Sequence, residues 1–184
     1  DGEGWALAET NVGQLAFYVQ DEWNVNEKFK LTYGVRFDKP LFFDSAQKAQ
    51  DVIDRGFVIA DQPYENPNTG ETVFIDNTQM PTNDWLISPR VGFNYDVNGD
   101  KSLQLRGGSG LFTGRFPFVW LGNQIANPDV FFLQAVDPDY KFPQVWRTNL
   151  GVDKRLDDGM VLTADLSYTK DINGPHVQNW ALTR

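Results

Sequence analysis

Between Phe29 and Asp38 the odd positions Phe29, Leu31, Tyr33, Val35 and Phe37 are apolar, and the even positions Lys30, Thr32, Gly34, Arg36 and Asp38 are polar or glycine. Successive side chains of an extended strand point to opposite faces, so this segment predicts a strand with one apolar and one polar flank. The same period of two recurs in five further segments. Near Gly13 to Trp23, Leu15, Phe17, Val19 and Trp23 oppose Gln14, Tyr18, Gln20 and Glu22. Near Trp85 to Val97, Trp85, Ile87, Val91, Phe93, Tyr95 and Val97 oppose Ser88, Arg90, Gly92, Asn94 and Asp96. Near Ser102 to Phe112, Leu103, Leu105 and Leu111 oppose Gln104 and Arg106. Trp146, Thr148, Leu150 and Val152 alternate with Arg147, Asn149 and Asp153. Met160, Leu162, Ala164, Leu166 and Tyr168 alternate with Thr163, Asp165 and Ser167. Pro89 predicts a bulge or local irregularity, and Gly107, Gly108 and Gly110 predict a kink or a close backbone approach.

The connections alternate as regularly as the faces do. Residues 24–28, 98–100 and 157–159 are compact turns rich in Asn, Asp and Gly, which tolerate positive φ or bond their own backbone. Residues 40–84 and 113–144 are far longer than the connections of an ordinary compact domain. Tight turns at one end of a sheet and extended loops at the other are the layout of a membrane β-barrel, with short periplasmic turns and long extracellular loops. The fold class expected is therefore all-β: an antiparallel transmembrane β-barrel segment of about six strands, with residues 40–84 and 113–144 as extracellular loops.

Composition agrees with that placement. The 184 residues include no cysteine, are 41% hydrophobic, and carry a formal net charge of −9. Mean hydropathy is −0.44. No continuous apolar run is long enough for a membrane-spanning helix, but a barrel wall escapes such a scan because its apolar residues are interleaved with polar ones. Lack of cysteine removes disulfide frameworks and thiolate chemistry. The acidic balance argues against nucleic acid as a partner, which requires a basic footprint. No signal peptide opens the sequence. An open sheet edge in hydrocarbon leaves backbone groups unpaired at several kcal/mol each, and the smallest single-chain barrels have roughly eight strands. About six strands thus predict an internal piece of a larger barrel.

Several strings also carry a family likeness. The run from Leu15 to Trp23, with Tyr18, Val19, Gln20, Asp21 and Glu22 inside it, is followed by Leu31 to Asp38. Together they resemble the barrel of TonB-dependent outer-membrane receptors. Ser88 to Tyr95, Leu105 to Arg115 and Pro117 to Gln124 extend the likeness, which is nearest to Bacteroidota receptors with an Oar-like or carboxypeptidase-regulatory-like extension. The resemblance implies a barrel of 22 strands around a plug domain, in the bacterial outer membrane. It also implies uptake of a large or scarce nutrient, such as a siderophore, oligosaccharide or peptide, driven through the TonB complex. Outer-membrane lipid and a surface lipoprotein are further expected partners. Residues 1–184 contain no recognisable plug sequence, TonB box or aromatic carboxyl-terminal strand, so the expectation for them is a partial barrel domain.

On the polar face, Arg36, Arg90, Arg106 and Arg147 stand roughly six to ten residues from the nearest short turn, on the order of 15 to 25 Å up a tilted strand. They are candidates for contact with the lumen or plug. One reading has them anchor a plug or balance the inward Asp38, Asp96, Asp153 and Asp165; the other has them bind or guide an anionic substrate. The second long loop carries Phe116, Phe118, Val119, Trp120, Leu121, Phe131 and Phe132. Of these Phe118, Trp120, Phe131 and Phe132 are candidate ligand contacts, against the alternative that they hold the loop together.

The first long loop is acidic, with Asp51, Asp54, Asp61, Glu65, Glu71, Asp76 and Asp84 at spacings that match no EF-hand, so no metal site is assigned. Asp44 is placed to cap a short helix over residues 45–53, with Ala46, Ala49, Val52 and Ile53 on one face. Residues 66–70 read as a turn between two short strands. Catalysis finds little support. His176 is the only histidine, in a segment after Gly174 and Pro175 that reads as a loop, and residues 107–110 lack the Lys-Ser/Thr of a phosphate-binding loop. No enzyme activity and no cofactor are expected. The alternatives to uptake are a passive porin or surface adhesin barrel, and a soluble β-sandwich binding module.

Overall fold

A computed structural model describes residues 10–56, 60–126 and 134–180. In chain order the elements are β1 (Gly13–Asn24), β2 (Phe29–Leu41), α1 (Ser45–Asp54), β3 (Pro63–Glu65), β4 (Thr72–Phe74), β5 (Leu86–Asp96), β6 (Leu103–Thr113), α2 (Val119–Ala126), β7 (Gln144–Arg155) and β8 (Val161–Asn173). The six long strands form one antiparallel sheet in the order β1-β2-β5-β6-β7-β8, so each pairs with the long strand before and after it in sequence. The sheet is open, with β1 and β8 at its edges.

Register follows the alternation. Phe17 pairs with Phe37 and Phe37 with Ile87, while Trp23 pairs with Leu31 and Leu31 with Phe93. Because the side-chain period is two, this register puts every apolar set on one face. That face is uncovered. Phe17 is 50% exposed, Val91 48%, Leu150 52% and Leu166 70%, values that a soluble sandwich would bring close to zero by packing a second sheet on them. Among the described residues no second layer does so.

The face has aromatic clusters at both ends. Near the short turns Phe29 lies 6.2 Å from Phe93 and 5.9 Å from Tyr95, centroid to centroid. Near the long loops Phe17 lies 5.0 Å from Phe37 and 5.3 Å from Trp85, with the Lys39 ammonium over the Trp85 ring. From Phe29 to Phe37 the strand rises roughly 27 Å, or about 20 Å once tilted by 40°, which matches an apolar band about 25 Å tall between aromatic girdles. Two pairs of polar groups within this face bond each other across neighbouring strands. Tyr33 Oη donates to Asp21 Oδ2 at 2.9 Å, and the Ser109 and Thr148 hydroxyls meet at 2.7 Å.

The three compact turns lie at one end of the sheet. Asn26 Oδ1 accepts the backbone N–H of Lys28 and of Phe29. Asp96 accepts from Gly99 N and Lys101 N, both residues having positive φ, and Asp158 accepts from Met160 N. At the other end the long connections pack on each other. Phe42 of the first and Phe116, Leu121, Val136 and Phe142 of the second form the buried core together with Leu86. The Phe116 ring stacks on Phe142 at 5.5 Å and meets Tyr140 at 5.2 Å and Trp120 at 5.6 Å. The expected turn at residues 66–70 joins β3 and β4 into a small hairpin, closed by Asn66 N–H to Glu71 O.

Three local expectations need correction. Pro89 causes no register shift against β2, where it faces Val35; the pairing toward β6 instead begins at Arg90, which spares a residue that has no N–H to donate. The sheet's irregularity falls at Gln144/Val145. α1 forms as expected, but Ser45, Ala49 and Val52 are its buried residues and Ala46 is exposed. Asp44 does begin α1, yet its carboxylate turns away from the helix to accept Asn11 N and Asn11 Nδ2, both at 2.8 Å. These bonds hold the Asp44 carboxyl below the usual carboxylate range. A lowered folded pKa gives a contribution that is complete above the unfolded value of about 4 and lost as pH falls through the folded one. Hydrogen exchange of the Asn11 amide, corrected for intrinsic rate, should therefore lose protection only below about pH 4.

Candidate functional site

The polar face of the sheet carries the charges, and glycines beside them decide which can meet. Arg106 lies in register with Asn94 on one side and Gly151 on the other, and Gly151 in turn faces Asp165. A Cβ on Gly151 would fall 2.5 Å from Asp165 Oδ1 and 2.8 Å from Arg106 Cζ. Its absence lets the guanidinium reach across β7. Arg106 consequently donates to Asp153 Oδ2 at 2.9 Å and to Asp165 Oδ1 at 2.9 Å, so one cation answers two anions. Thr163 Oγ1 donates to Asp153 as well.

Arg36 makes a forked contact with Asp38, through Nε to Oδ2 and Nη2 to Oδ1, both at 2.9 Å. Asp38 is fully buried and also accepts Gln14 Nε2 at 2.9 Å, so its charge is matched by hydrogen bonds as burial requires. Arg90 differs. It faces Gly34 on β2 and Gly110 on β6, and its guanidinium carbon lies 4.4 Å from the centroid of Phe112. A Cβ on Gly110 would come within 2.9 Å of Arg90 Cγ, so glycine there gives the arginine stem its path. Among the described residues no carboxylate lies within ion-pair distance of Arg90, Arg115 or Arg147. Arg147 shares the Arg90 row, across Gly110, and its Nε donates to Thr169 Oγ1 at 3.3 Å.

The four arginines named by the alternation therefore do not form one level band. Arg36 and Arg90 line a common pocket of about 420 Å³ at the long-loop end of the polar face. Arg106 lies nearer the short turns within its own carboxylate pair, and Arg147 lies outside the pocket. Gln14 and Ala16 of β1 form one wall; Thr113, Arg115 and Phe118 come from the end of β6 and the loop that follows. Arg115 and Thr113 escape sequence reading because they stand where the strand period ends, and nothing in the string marks a loop arginine as folding back.

Phe118, half-buried, is both a pocket wall and a member of the loop's aromatic cluster, 6.1 Å from Phe116 and from Phe142. Trp120 packs in that cluster. Phe131 and Phe132 lie outside the described residues. In the acidic loop, no three carboxylates or histidines among the described residues gather closely enough to hold a metal ion. His176 is exposed.

Residues 5–130 match the model of a family described as an outer membrane beta barrel domain, and the match covers more than half of the chain. No curated protein and no solved structure matches it. A meander of tilted-strand length, greasy on an uncovered face between two aromatic belts and polar on the other, is what such a wall requires. The chain belongs to the outer membrane beta barrel domain family and lies in the outer membrane.

Proposed function

We propose that this chain is part of the wall of a TonB-dependent receptor that takes up a large or scarce nutrient from outside the cell, and that it acts without catalysis. The observation that carries this reading is the union of the two long connections into one packed cap at the mouth of the polar face. Gln124 of α2, fully buried, donates to the carbonyls of Asn77 at 3.0 Å and Gln79 at 2.9 Å in the first loop and accepts Val136 N–H at 2.8 Å in the second. Loops held together in this way make a structured receptor mouth, whereas a porin needs only a clear opening. The likeness of Leu15 to Trp23 and of Leu31 to Asp38 to TonB-dependent receptors supports the same reading.

Cells expressing the complete protein should accumulate the nutrient that it supports, screened among siderophores, oligosaccharides and peptides, and should cease to do so when TonB is deleted. Accumulation that persists without TonB would establish passive passage instead. No accumulation of any candidate, with adherence to surfaces retained, would establish an adhesin.

A further inference from the structure

We propose that the pocket at the long-loop mouth is an anion site, which takes a carboxylate or phosphate group of the incoming ligand on Arg90 and Arg115 and lays its apolar part against Phe118. The proposal deepens the uptake reading and rests on it for the direction from which the ligand arrives.

Charge bookkeeping within the pocket singles out these two residues. Three guanidiniums share a space of about 420 Å³, yet only Arg36 has a carboxylate, the fully buried Asp38. That pair is neutral, and its forked geometry occupies Nε and Nη2 of Arg36. Arg90 and Arg115 thus bring two positive charges to the cleft with no described carboxylate within ion-pair distance of either. Like charges lining one cleft repel, so the arrangement favours an anion over water. Arg106, further down the same face, shows how the sheet treats an arginine meant only for structure: it has two aspartates.

Shape points the same way. The Phe112 ring lies 4.4 Å from the Arg90 guanidinium carbon, and among the described residues no acceptor is hydrogen-bonded to that guanidinium, so its N–H groups are open to paired hydrogen bonds with two oxygens of one group. Gly34 and Gly110, in register on either side, put no side chain beside it. Gln14 and Thr113 add hydrogen-bonding groups to the lining, and Phe118 and Ala16 supply the apolar surface. An anion bearing an aromatic or aliphatic body satisfies all of these at once; a neutral sugar leaves both guanidiniums without a counter-charge.

The test uses the complete receptor purified in detergent, with benzoate and phenyl phosphate as probes and neutral benzamide as control, by equilibrium titration. Benzoate or phenyl phosphate should bind more tightly than benzamide, and Arg90→Gln or Arg115→Gln should each weaken it by about tenfold. Arg147→Gln, which alters a guanidinium on the same face outside the pocket, should leave binding unchanged. Retained heat-modifiable migration shows that each variant still folds, and Arg115, beyond the end of β6, provides a variant that leaves the strands intact. Equal binding of benzoate, phenyl phosphate and benzamide would overturn the proposal. So would wild-type affinity in both arginine variants, or a carboxylate of the receptor's own plug fixed on Arg90 and not displaced by the probes. Because titration needs no TonB, anion binding without TonB-dependent uptake would remove the uptake reading and leave the site standing. Uptake without arginine-dependent binding would do the reverse.

Discussion

Leu150→Arg should destabilise the folded barrel by about 2–4 kcal/mol, whereas Asn149→Arg, one residue away, should leave it nearly unchanged. Leu150 is central in β7 and 52% exposed on the apolar face, in register with Gly107 and Leu166. In water an exposed leucine is replaced by arginine at almost no cost. In hydrocarbon the guanidinium loses its hydration, and the penalty is greatest at mid-depth. Asn149 has the opposite parity and points to the polar face, where a further cation meets water. Urea titration of the complete protein in lipid vesicles measures both variants. Equal effects from the two would remove the distinction between the faces.

Gln124→Ala should release the loop cap while leaving the sheet intact, at a cost of about 3 kcal/mol. The side chain is fully buried and binds three backbone groups drawn from both long connections. Alanine leaves Asn77 O, Gln79 O and Val136 N–H without their partner in a place with little access to water, and each such loss costs about 1–3 kcal/mol before relaxation. Gln124→Glu should be no better. It keeps an acceptor for Val136 N–H but sets a negative charge against two carbonyl oxygens. Hydrogen exchange should show residues 72–80 and 134–143 losing protection together, with β6 and β7 unchanged. Loss in only one of the two segments would mean that the loops are ordered separately.

The wall was legible in the sequence because its physics is local. Period-two alternation determines which side of Phe29 to Asp38 is apolar, and Asn, Asp and Gly at residues 98–100 determine where the chain must turn. The interior of the cap was not legible, since it depends on contacts between distant residues that follow no period. Gln124 reads as an ordinary polar residue of the second long loop, yet it sits in α2 as the buried link between the two loops. Asp44 illustrates the same limit. Its position before α1 identifies the helix start, but Asn11, 33 residues earlier, captures the carboxylate that local capping would have used. The arginines were half legible: parity assigned their face, while the glycines at 110 and 151 decide that Arg90 reaches toward Phe112 and Arg106 toward Asp165.

The most direct measurement is a spin-label scan of β2 in the complete protein, placed in outer-membrane vesicles, with collision rates for oxygen and for a water-soluble nickel chelate. Residues 1–184 contain no cysteine, so each cysteine introduced into β2 is the one thiol of this segment. Labels at Leu31, Tyr33, Val35 and Phe37 should collide with oxygen and be shielded from nickel, and labels at Lys30, Thr32 and Arg36 should show the opposite. Collision rates without a period of two, or odd positions shielded from both reagents as in a protein core, would contradict a wall that faces lipid on one side and a polar lumen on the other.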